Sequence, residues 1–298
     1  MKKYLFSIVI PTYNGEKTVG RLLGKLATIT GNYSKEVVVI DSESRDSTLE
    51  IVKSFKNKIS NLRIINIKKK DFNHGETRNL GVRMSQGKYI CFFSQDAVPR
   101  DKNIFSCYLE DFNIDDKVVA IFGKHVPYEN TPIIQKLEIL CKWEKMDQYV
   151  NHLGRLIQNL EKPFIPFTEE NKLLWYMLSN TSSCYRRSFL IQNPFPKAEY
   201  GEDLLMGKTI IEKELIKVYD IRCAVTHSHT FNIPQYYARE QEDLTFRRSL
   251  IGKNPKTNIS CKIKKIFSLE EPTYKKMKYL FEFFIYYGMK VIIIIKIK

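Results

Sequence analysis

Through its first 125 residues the chain repeats one pattern: a short apolar run that closes on a polar cluster, then a stretch with helical spacing. Tyr4 to Ile10, Glu36 to Ile40, Leu62 to Ile67, Tyr89 to Phe93 and Val118 to Phe122 are rich in β-branched and aromatic residues and read as buried strands. Between them, Lys17 to Ile29 places Val19, Leu22, Leu23 and Leu26 on one helical face. Ser47 to Phe55 and Thr77 to Met84 read as further helices, the former capped by Asp46 or Ser47. Strands joined by helices of this length predict an α/β fold with a mostly parallel central sheet, right-handed crossovers and flanking helices.

Three strand ends carry polar clusters: Pro11 to Glu16, Asp41 to Asp46, and Ser94-Gln95-Asp96-Ala97. Each alone is ordinary turn chemistry. Three on one edge describe a ligand crevice, because open α/β sheets bind at the carboxyl ends of their strands. Asp96, just past the strand Tyr89 to Phe93, is placed to hold a divalent cation against a substrate phosphate, since hard cations take oxygen ligands. Neither G-x-G-x-x-G nor G-x-x-x-x-G-K-[ST] occurs, so no dinucleotide fingerprint or P-loop is supported.

The pattern loosens after residue 126. Ile133 to Met146 reads as an amphipathic helix and Leu173 to Leu178 as a short one; the loop Lys162 to Thr168 between them either shapes an acceptor cleft or is a surface elaboration. Ser179 to Arg187 reads as a small-residue strand beside the sheet. Gly201-Glu202-Asp203 opens a helix to about Glu214, with two acids where a helix dipole favours them. Cys223 to Val225 is a strand leading to His227-Ser228-His229; one of the two histidines is expected to face the site, and His227 is the choice. Ile233 to Leu250 is another helix. Tyr279 to Lys298, rich in Phe, Tyr and Ile and broken by Glu282, Lys290 and Lys296, reads either as a membrane-interface segment or as a terminal helix packed on the protein's own surface.

Composition narrows the classes. A chain of 298 residues, 43% hydrophobic, is globular with a sizeable core. Its net charge of +15 implies an anionic partner. A membrane surface and phosphorylated small substrates both fit; nucleic acid ranks last, since no module signature appears and the basic residues are spread out. Six cysteines, none in a C-x-x-C pair, exclude a zinc cluster or redox motif and read as reduced thiols of a cytoplasmic protein. The apolar run after Met1-Lys2-Lys3 is too short for a signal-peptide core, so secretion is not expected.

The ordered set Ser7-Ile8-Val9-Ile10-Pro11-Thr12-Tyr13-Asn14, Val37-Val38-Val39-Ile40-Asp41-Ser42 with Ser44, Asp46 and Thr48, Thr77-Arg78-Asn79-Leu80-Gly81, and Tyr89-Ile90-Cys91-Phe92-Phe93-Ser94-Gln95-Asp96 resembles the family-2 glycosyltransferases of the GT-A (nucleotide-diphospho-sugar transferase) fold. Asp71 to Asn79, Gly201-Glu202-Asp203-Leu204-Leu205 and His227-Ser228-His229 narrow the likeness to bacterial rhamnosyltransferases. The resemblance is close over the first 125 residues and extends to about residue 240. It implies that Thr12, Tyr13 and Asn14 line a base and ribose pocket and that Asp41, with Ser42, contacts the nucleoside. Arg78 and Asn79 would lie near the nucleotide, Arg78 suited to a phosphate or base edge, and Gln95 would border the donor. Asp96 with His227 would bind Mg2+ or Mn2+, and Asp203 would be the catalytic base beside Glu202. Two departures stand out. Asp41-Ser42 replaces a pair of acids found in many members, and Ser94-Gln95-Asp96 replaces Asp-x-Asp, which leaves Asp96 as the main carboxylate ligand.

The resemblance therefore implies an inverting, metal-dependent glycosyltransferase that moves a sugar, with rhamnose from dTDP-rhamnose the first expectation, to a hydroxyl of a bacterial surface glycan or lipid-linked acceptor. Residues 1–125 would form the nucleotide-sugar-binding half, 126–250 the acceptor-binding and catalytic half of the same domain, and 251–298 a basic, apolar C-terminal helical extension. The expected location is cytoplasmic, peripheral at the inner face of the plasma membrane, whose anionic surface suits the charge. The alternative is a non-catalytic glycan- or nucleotide-binding module of the same fold. A nucleotidyltransferase is disfavoured, since no Gly-rich, basic loop follows the first strand.

Overall fold

The computed structural model describes residues 4–29, 31–254 and 259–296; Met1-Lys2-Lys3 and Lys298 lie outside the described residues. In chain order the elements are β1 (Phe6–Thr12), α1 (Val19–Thr28), β2 (Lys35–Asp41), α2 (Thr48–Ser54), β3 (Leu62–Asn66), α3 (His74–Met84), β4 (Tyr89–Phe93), β5 (Val98–Pro99), α4 (Ile104–Phe112), β6 (Val118–Phe122) and β7 (His125–Val126). There follow α5 (Ile133–Asp147), β8 (Arg155–Gln158), α6 (Lys172–Tyr176), β9 (Ser182–Arg186), α7 (Arg187–Gln192), α8 (Glu202–Glu212), β10 (Ile216–Asp220), β11 (Val225–Thr226), α9 (Ile233–Ile251), α10 (Ile259–Ser268) and α11 (Thr273–Lys296). They form two compact units, one built from residues up to Lys124 with Tyr149–His227, the other from His125–Gln148 and the residues from Ser228 onward.

The first unit is the expected α/β sheet. Its eight strands lie in the order β3-β2-β1-β4-β9-β6-β10-β8, with β8 and β9 antiparallel to the strands beside them and the other pairings parallel. Continuous apolar runs such as Val37 to Ile40 and Ile90 to Phe93 are wholly buried, as strands covered on both faces are. Helix α1 buries Val19, Leu22, Leu23 and Leu26, the four residues its spacing singled out. Helix α3 starts at His74, three residues before the expected Thr77, because Asn73 caps it: its Oδ1 accepts the N–H groups of Gly75 at 3.1 Å and Glu76 at 3.2 Å. Gly81 lets that helix lie flush on β1, since a Cβ there would stand 2.4 Å from Val9 Cγ1.

Other elements differ from the sequence expectations. The small-residue strand is β9, and it sits inside the sheet, between β4 and β6, rather than beside it. Strand β10 escapes the apolar pattern because Lys217 stands second among its five residues, yet that lysine is wholly buried. Its ammonium donates to the Met177 carbonyl at 2.7 Å and to Gln158 Oε1, and burial pushes its pKa well below the ordinary lysine range. Where Cys223 to Val225 reads as a strand, a 3-10 turn over Ile221–Cys223 precedes the two-residue β11.

In the second unit, α5, α10 and α11 share an apolar core that includes Ile134, Leu137, Ile266 and Phe283. Beside it Glu138 accepts hydrogen bonds from Tyr236 Oη at 2.6 Å, Lys262 Nζ at 2.8 Å and Lys290 Nζ at 2.6 Å. Burial alone would raise this carboxyl, but Lys290 and Lys262 bring it down to about 2. Cys141 on α5 and Cys261 on α10 form a disulfide, which corrects the reading of all six cysteines as reduced thiols; Cys91, Cys107, Cys184 and Cys223 are free and buried. Thiols 120 residues apart give no local signal of pairing, and the inference of a reducing compartment from cysteine usage falls with the correction. Among the described residues no helix is long and apolar enough to cross a membrane.

Because the disulfide closes a long loop, reducing it should cost about 2–4 kcal/mol of stability. Denaturant titrations with and without dithiothreitol measure this, and thiol titration of the unreduced, unfolded chain should find four free groups. Six free thiols and superimposable titrations would show that the bond does not form.

Candidate active site

The carboxyl ends of β1, β2 and β4 form one crevice, and the loops after β1 and β2 are knitted together there. Thr12 Oγ1 donates to Asp41 Oδ1 at 3.1 Å, and Asp41 also accepts the Ser44 hydroxyl at 2.5 Å and the Ser44 N–H at 2.9 Å. Ser44 Oγ in turn accepts the Asn14 N–H at 2.9 Å, and Asn14 Oδ1 accepts the Arg45 N–H at 2.9 Å. Asn14 has φ 45°, a left-handed conformation that Asn adopts more readily than most residues. The Ser42 hydroxyl next to Asp41 is buried with no hydrogen-bond partner among the described residues.

Gln95 ties the β4 turn to the same loop. Its Oε1 accepts the Tyr13 N–H at 3.0 Å and its Nε2 donates to the Tyr13 carbonyl at 3.1 Å. Gly15 is required by this clamp, since a Cβ there would lie 2.4 Å from Gln95 Oε1. Tyr13 presents its ring at the crevice with the Lys69 ammonium 4.5 Å from the ring centroid and 2.8 Å from its hydroxyl. That hydrogen bond draws the phenol below its ordinary pKa. Lys69 was not singled out in the sequence, because it sits in the run Lys68-Lys69-Lys70, which reads as scattered surface charge.

Asp96 lies in the turn closed by the Ala97 N–H on the Ser94 carbonyl at 2.9 Å. Directly after it, β5 pairs antiparallel with β11, Val98 opposite Thr226, and this register brings His227 back toward Asp96: Nε2 is 3.4 Å from Oδ1. A carboxylate oxygen and an imidazole nitrogen thus converge from two strands, a donor set that fits a divalent cation such as Mn2+. His227 is buried and His229 exposed. Two positions apart on extended chain they share a face, so spacing gives no ground for admitting only one of them.

The acids that open α8 have separate fates. Gly201, at φ 74°, turns the chain into the helix in a conformation that favours glycine. Glu202 is buried, its Oε1 2.9 Å from Arg78 and 3.2 Å from Asn180 Nδ2. Burial alone would raise its carboxyl, yet Arg78, His74 and Asn180 hold it below the ordinary glutamate range. Arg78 also donates to the His74 carbonyl at 3.0 Å and lies over the Phe92 ring of β4. Asp203 is half-buried, and its Oδ1 accepts the Leu204 N–H at 2.8 Å.

Asn180 is the hub of this side. Its Oδ1 accepts the Ser183 and Tyr185 hydroxyls at 3.0 and 2.7 Å, while the Ser94 N–H donates to the adjacent Thr181 carbonyl at 3.4 Å. A polar residue inside a small-residue segment was the one signal that could have found it. Asn79, expected near the nucleotide, is engaged with the protein's own backbone. Its carboxamide donates to the Phe195 carbonyl and accepts the Phe195 N–H, both at 2.9 Å, and so fixes a loop.

An open α/β sheet with a polar crevice at its strand ends and paired acids on a following helix defines a nucleotide-sugar transferase of the GT-A type. A family model described as Glycosyl transferase family 2 matches residues 7–186, and the chain belongs to that family. The O-antigen chain rhamnosyltransferase RfbN of Salmonella typhimurium is 27% identical over 236 residues, which cover 78% of this chain and 69% of RfbN. The poly(ribitol-phosphate) beta-N-acetylglucosaminyltransferase TarS of Staphylococcus aureus is 36% identical over 128 residues, 41% of this chain and 22% of TarS. In structure, S. aureus TarS 1-349 in complex with UDP-GlcNAc matches with a TM-score of 0.58 at 22% identity, covering 95% of this chain and 72% of that one. Mannosyltransferase PcManGT from Pyrobaculum calidifontis, in complex with GDP-Man and Mn2+, matches with a TM-score of 0.55 at 15% identity, covering 86% and 67%. The protein is a glycosyltransferase that uses a nucleotide-sugar donor.

Arg78→Ala would leave Glu202 buried without its cation and should cost about 3–5 kcal/mol at neutral pH. Because the folded carboxyl of Glu202 lies below its unfolded value of 4.5, the pair stabilises fully above that pH and stops doing so as pH falls through the folded value. Urea unfolding of wild type and variant should therefore show a gap at pH 7 that narrows in acid. Equal stability at pH 7, or a gap independent of pH, would contradict the pairing.

Proposed function

We propose that the protein transfers rhamnose from dTDP-rhamnose to a hydroxyl of a surface glycan or lipid-linked acceptor, with inversion at the anomeric carbon. The observation that carries the reading is the pair of acids that opens α8: Glu202 is buried in the Arg78 ion pair and bonded to Asn180, whose neighbour Thr181 borders the Asp96 turn, while Asp203, the next residue, is half-buried with Oδ1 on the Leu204 N–H. The rhamnosyl donor is favoured because RfbN aligns over most of both chains, whereas the TarS alignment covers a smaller part of each.

Residues 1–125 would recognise the donor: the Tyr13 ring offers a stacking surface for the base, Asp41 an acceptor for the nucleoside, and the unpartnered Ser42 hydroxyl a hydrogen bond. Lys69, beside Tyr13, adds positive charge for the diphosphate end of the pocket or the base edge. The second half, from residue 126 to 250, would supply the base and the acceptor contacts. Asp96 and His227 would hold Mg2+ or Mn2+, which when bound stabilises the negative charge of the departing diphosphate. Asp203 would take the proton of the acceptor hydroxyl as that oxygen attacks the anomeric carbon opposite the leaving group. Glu202 would position it by fixing the start of α8 against Arg78.

Asp203→Asn keeps the shape and removes the basicity, so transfer should fall by roughly 10²–10⁴-fold while calorimetric binding of the nucleotide stays near wild type. A variant that transfers sugar at the wild-type rate would overturn the assignment of the base. The same calorimetry across dTDP, UDP and GDP reads the base preference, and a clear preference for GDP would sink the rhamnose donor.

Asp96→Ala should abolish turnover and remove the dependence of nucleotide binding on Mn2+, leaving the weaker metal-free affinity. Turnover by wild-type protein that is indifferent to a chelator would show that this pair of donors holds no catalytic cation.

A further inference from the structure

We propose that the outward face of α11 is a docking surface for an anionic lipid bilayer. From Phe283 to Ile295 the helix is apolar on every side but for Lys290, which a helix that buries only one side has no reason to be. One side is accounted for. Phe283 and Ile293 are buried, Phe283 within the core shared with α5 and α10, and the ammonium of Lys290 is neutralised by Glu138 and by Glu240 at 2.8 Å.

The opposite side is not. Tyr274, Met277, Phe281, Phe284, Ile292 and Ile295 follow one another at helical spacing and share a single stripe, and all six are exposed, Tyr274 at 71% and Phe281 at 69%. Gly288 falls in the same stripe, with nothing within 4 Å of where its Cβ would stand. At the helical rise the stripe is about 32 Å long. Contiguous apolar exposure on this scale marks an interaction surface, where scattered exposed residues would need no explanation.

Charge decides between a membrane and a second copy of the chain. Residues 253–298 contain eleven lysines and three acidic residues, and Glu282 is the one acid within α11. Lys278 and Lys296 are eighteen residues apart, five helical turns, so they line the same border of the stripe. Two copies packed stripe to stripe would face lysines with lysines and almost no acid to answer them. Anionic headgroups would meet the same lysines with attraction while the apolar stripe enters the headgroup and acyl boundary. The helix would lie in the surface, since no described helix is apolar enough to span it.

The test uses the full chain and sedimentation with phosphatidylcholine vesicles, plain or with about a third phosphatidylglycerol. Wild type should sediment with the anionic vesicles, less so as salt rises. Phe281→Ser, Phe284→Ser and Ile292→Ser combined should weaken partitioning by roughly 100-fold, from the apolar burial lost. Lys278→Gln with Lys296→Gln, which leaves the apolar stripe unchanged and removes the Lys296 contact with Tyr237, should weaken it by roughly 30-fold, at about 1 kcal/mol for each lysine, and only on anionic vesicles. Nucleotide affinity, measured on each variant, should not change. A wild type that binds nucleotide but not anionic vesicles overturns the docking and leaves the transferase reading standing. Equal binding to both vesicle types, wild-type partitioning by either variant, or a dimer in light scattering that the serine variant dissolves would each overturn it as well.

Discussion

The buried contact between Arg78 and Glu202 fixes the geometry on which the site depends. Taking two charges out of water is costly, and part of the cost is offset when each finds the other; Arg78 Nε has no hydrogen-bond partner among the described residues. Here the guanidinium reaches a helix terminus through the His74 carbonyl, a sheet strand through the Phe92 ring, and a second helix through the Glu202 carboxylate 2.9 Å away. The helix α3, its neighbour β4 and the distant α8 are thereby locked around one side chain. Asp203 inherits its position from that lock, because the residue before it cannot move without stranding a buried charge.

How much of this was legible follows from the range of each interaction. Runs such as Val37 to Ile40 announce themselves because a strand covered on both faces must be apolar throughout, and the spacing of Val19, Leu22, Leu23 and Leu26 suffices for α1. The crevice was legible for the same reason: its loops follow those strands directly. Lys217 shows the limit. A charged residue in a strand reads as exposed, and only the distant Met177 carbonyl and Gln158 amide make its burial possible. The disulfide between Cys141 and Cys261 and the clamp of Asn79 on Phe195 are likewise agreements between remote segments that no local pattern records.

Asn79 and Gln95 also show how motif positions can carry structural duties. Both belong to segments that carry the family resemblance, and in both the carboxamide serves the protein's own backbone with one donated and one accepted hydrogen bond. A primary amide is suited to this, since it alone among uncharged side chains of its size offers a donor and an acceptor side by side. Such a residue shapes the crevice through the loop it holds.

The turn after β4 carries the final constraint. A second carboxylate at Ser94 would face Asp96 across one tight turn, and like charges so close raise each other's pKa unless a cation sits between them. With serine there and Gln95 turned to Tyr13, the turn holds a single acid, and the second donor arrives from a different segment as an imidazole nitrogen at 3.4 Å. The site thus keeps two converging donors while lowering the repulsion between them. It does so at the cost of depending on the β5 and β11 pairing, two residues long, which sets His227 against Asp96. The short antiparallel strands outside the main sheet, which look peripheral, are therefore part of the site's construction.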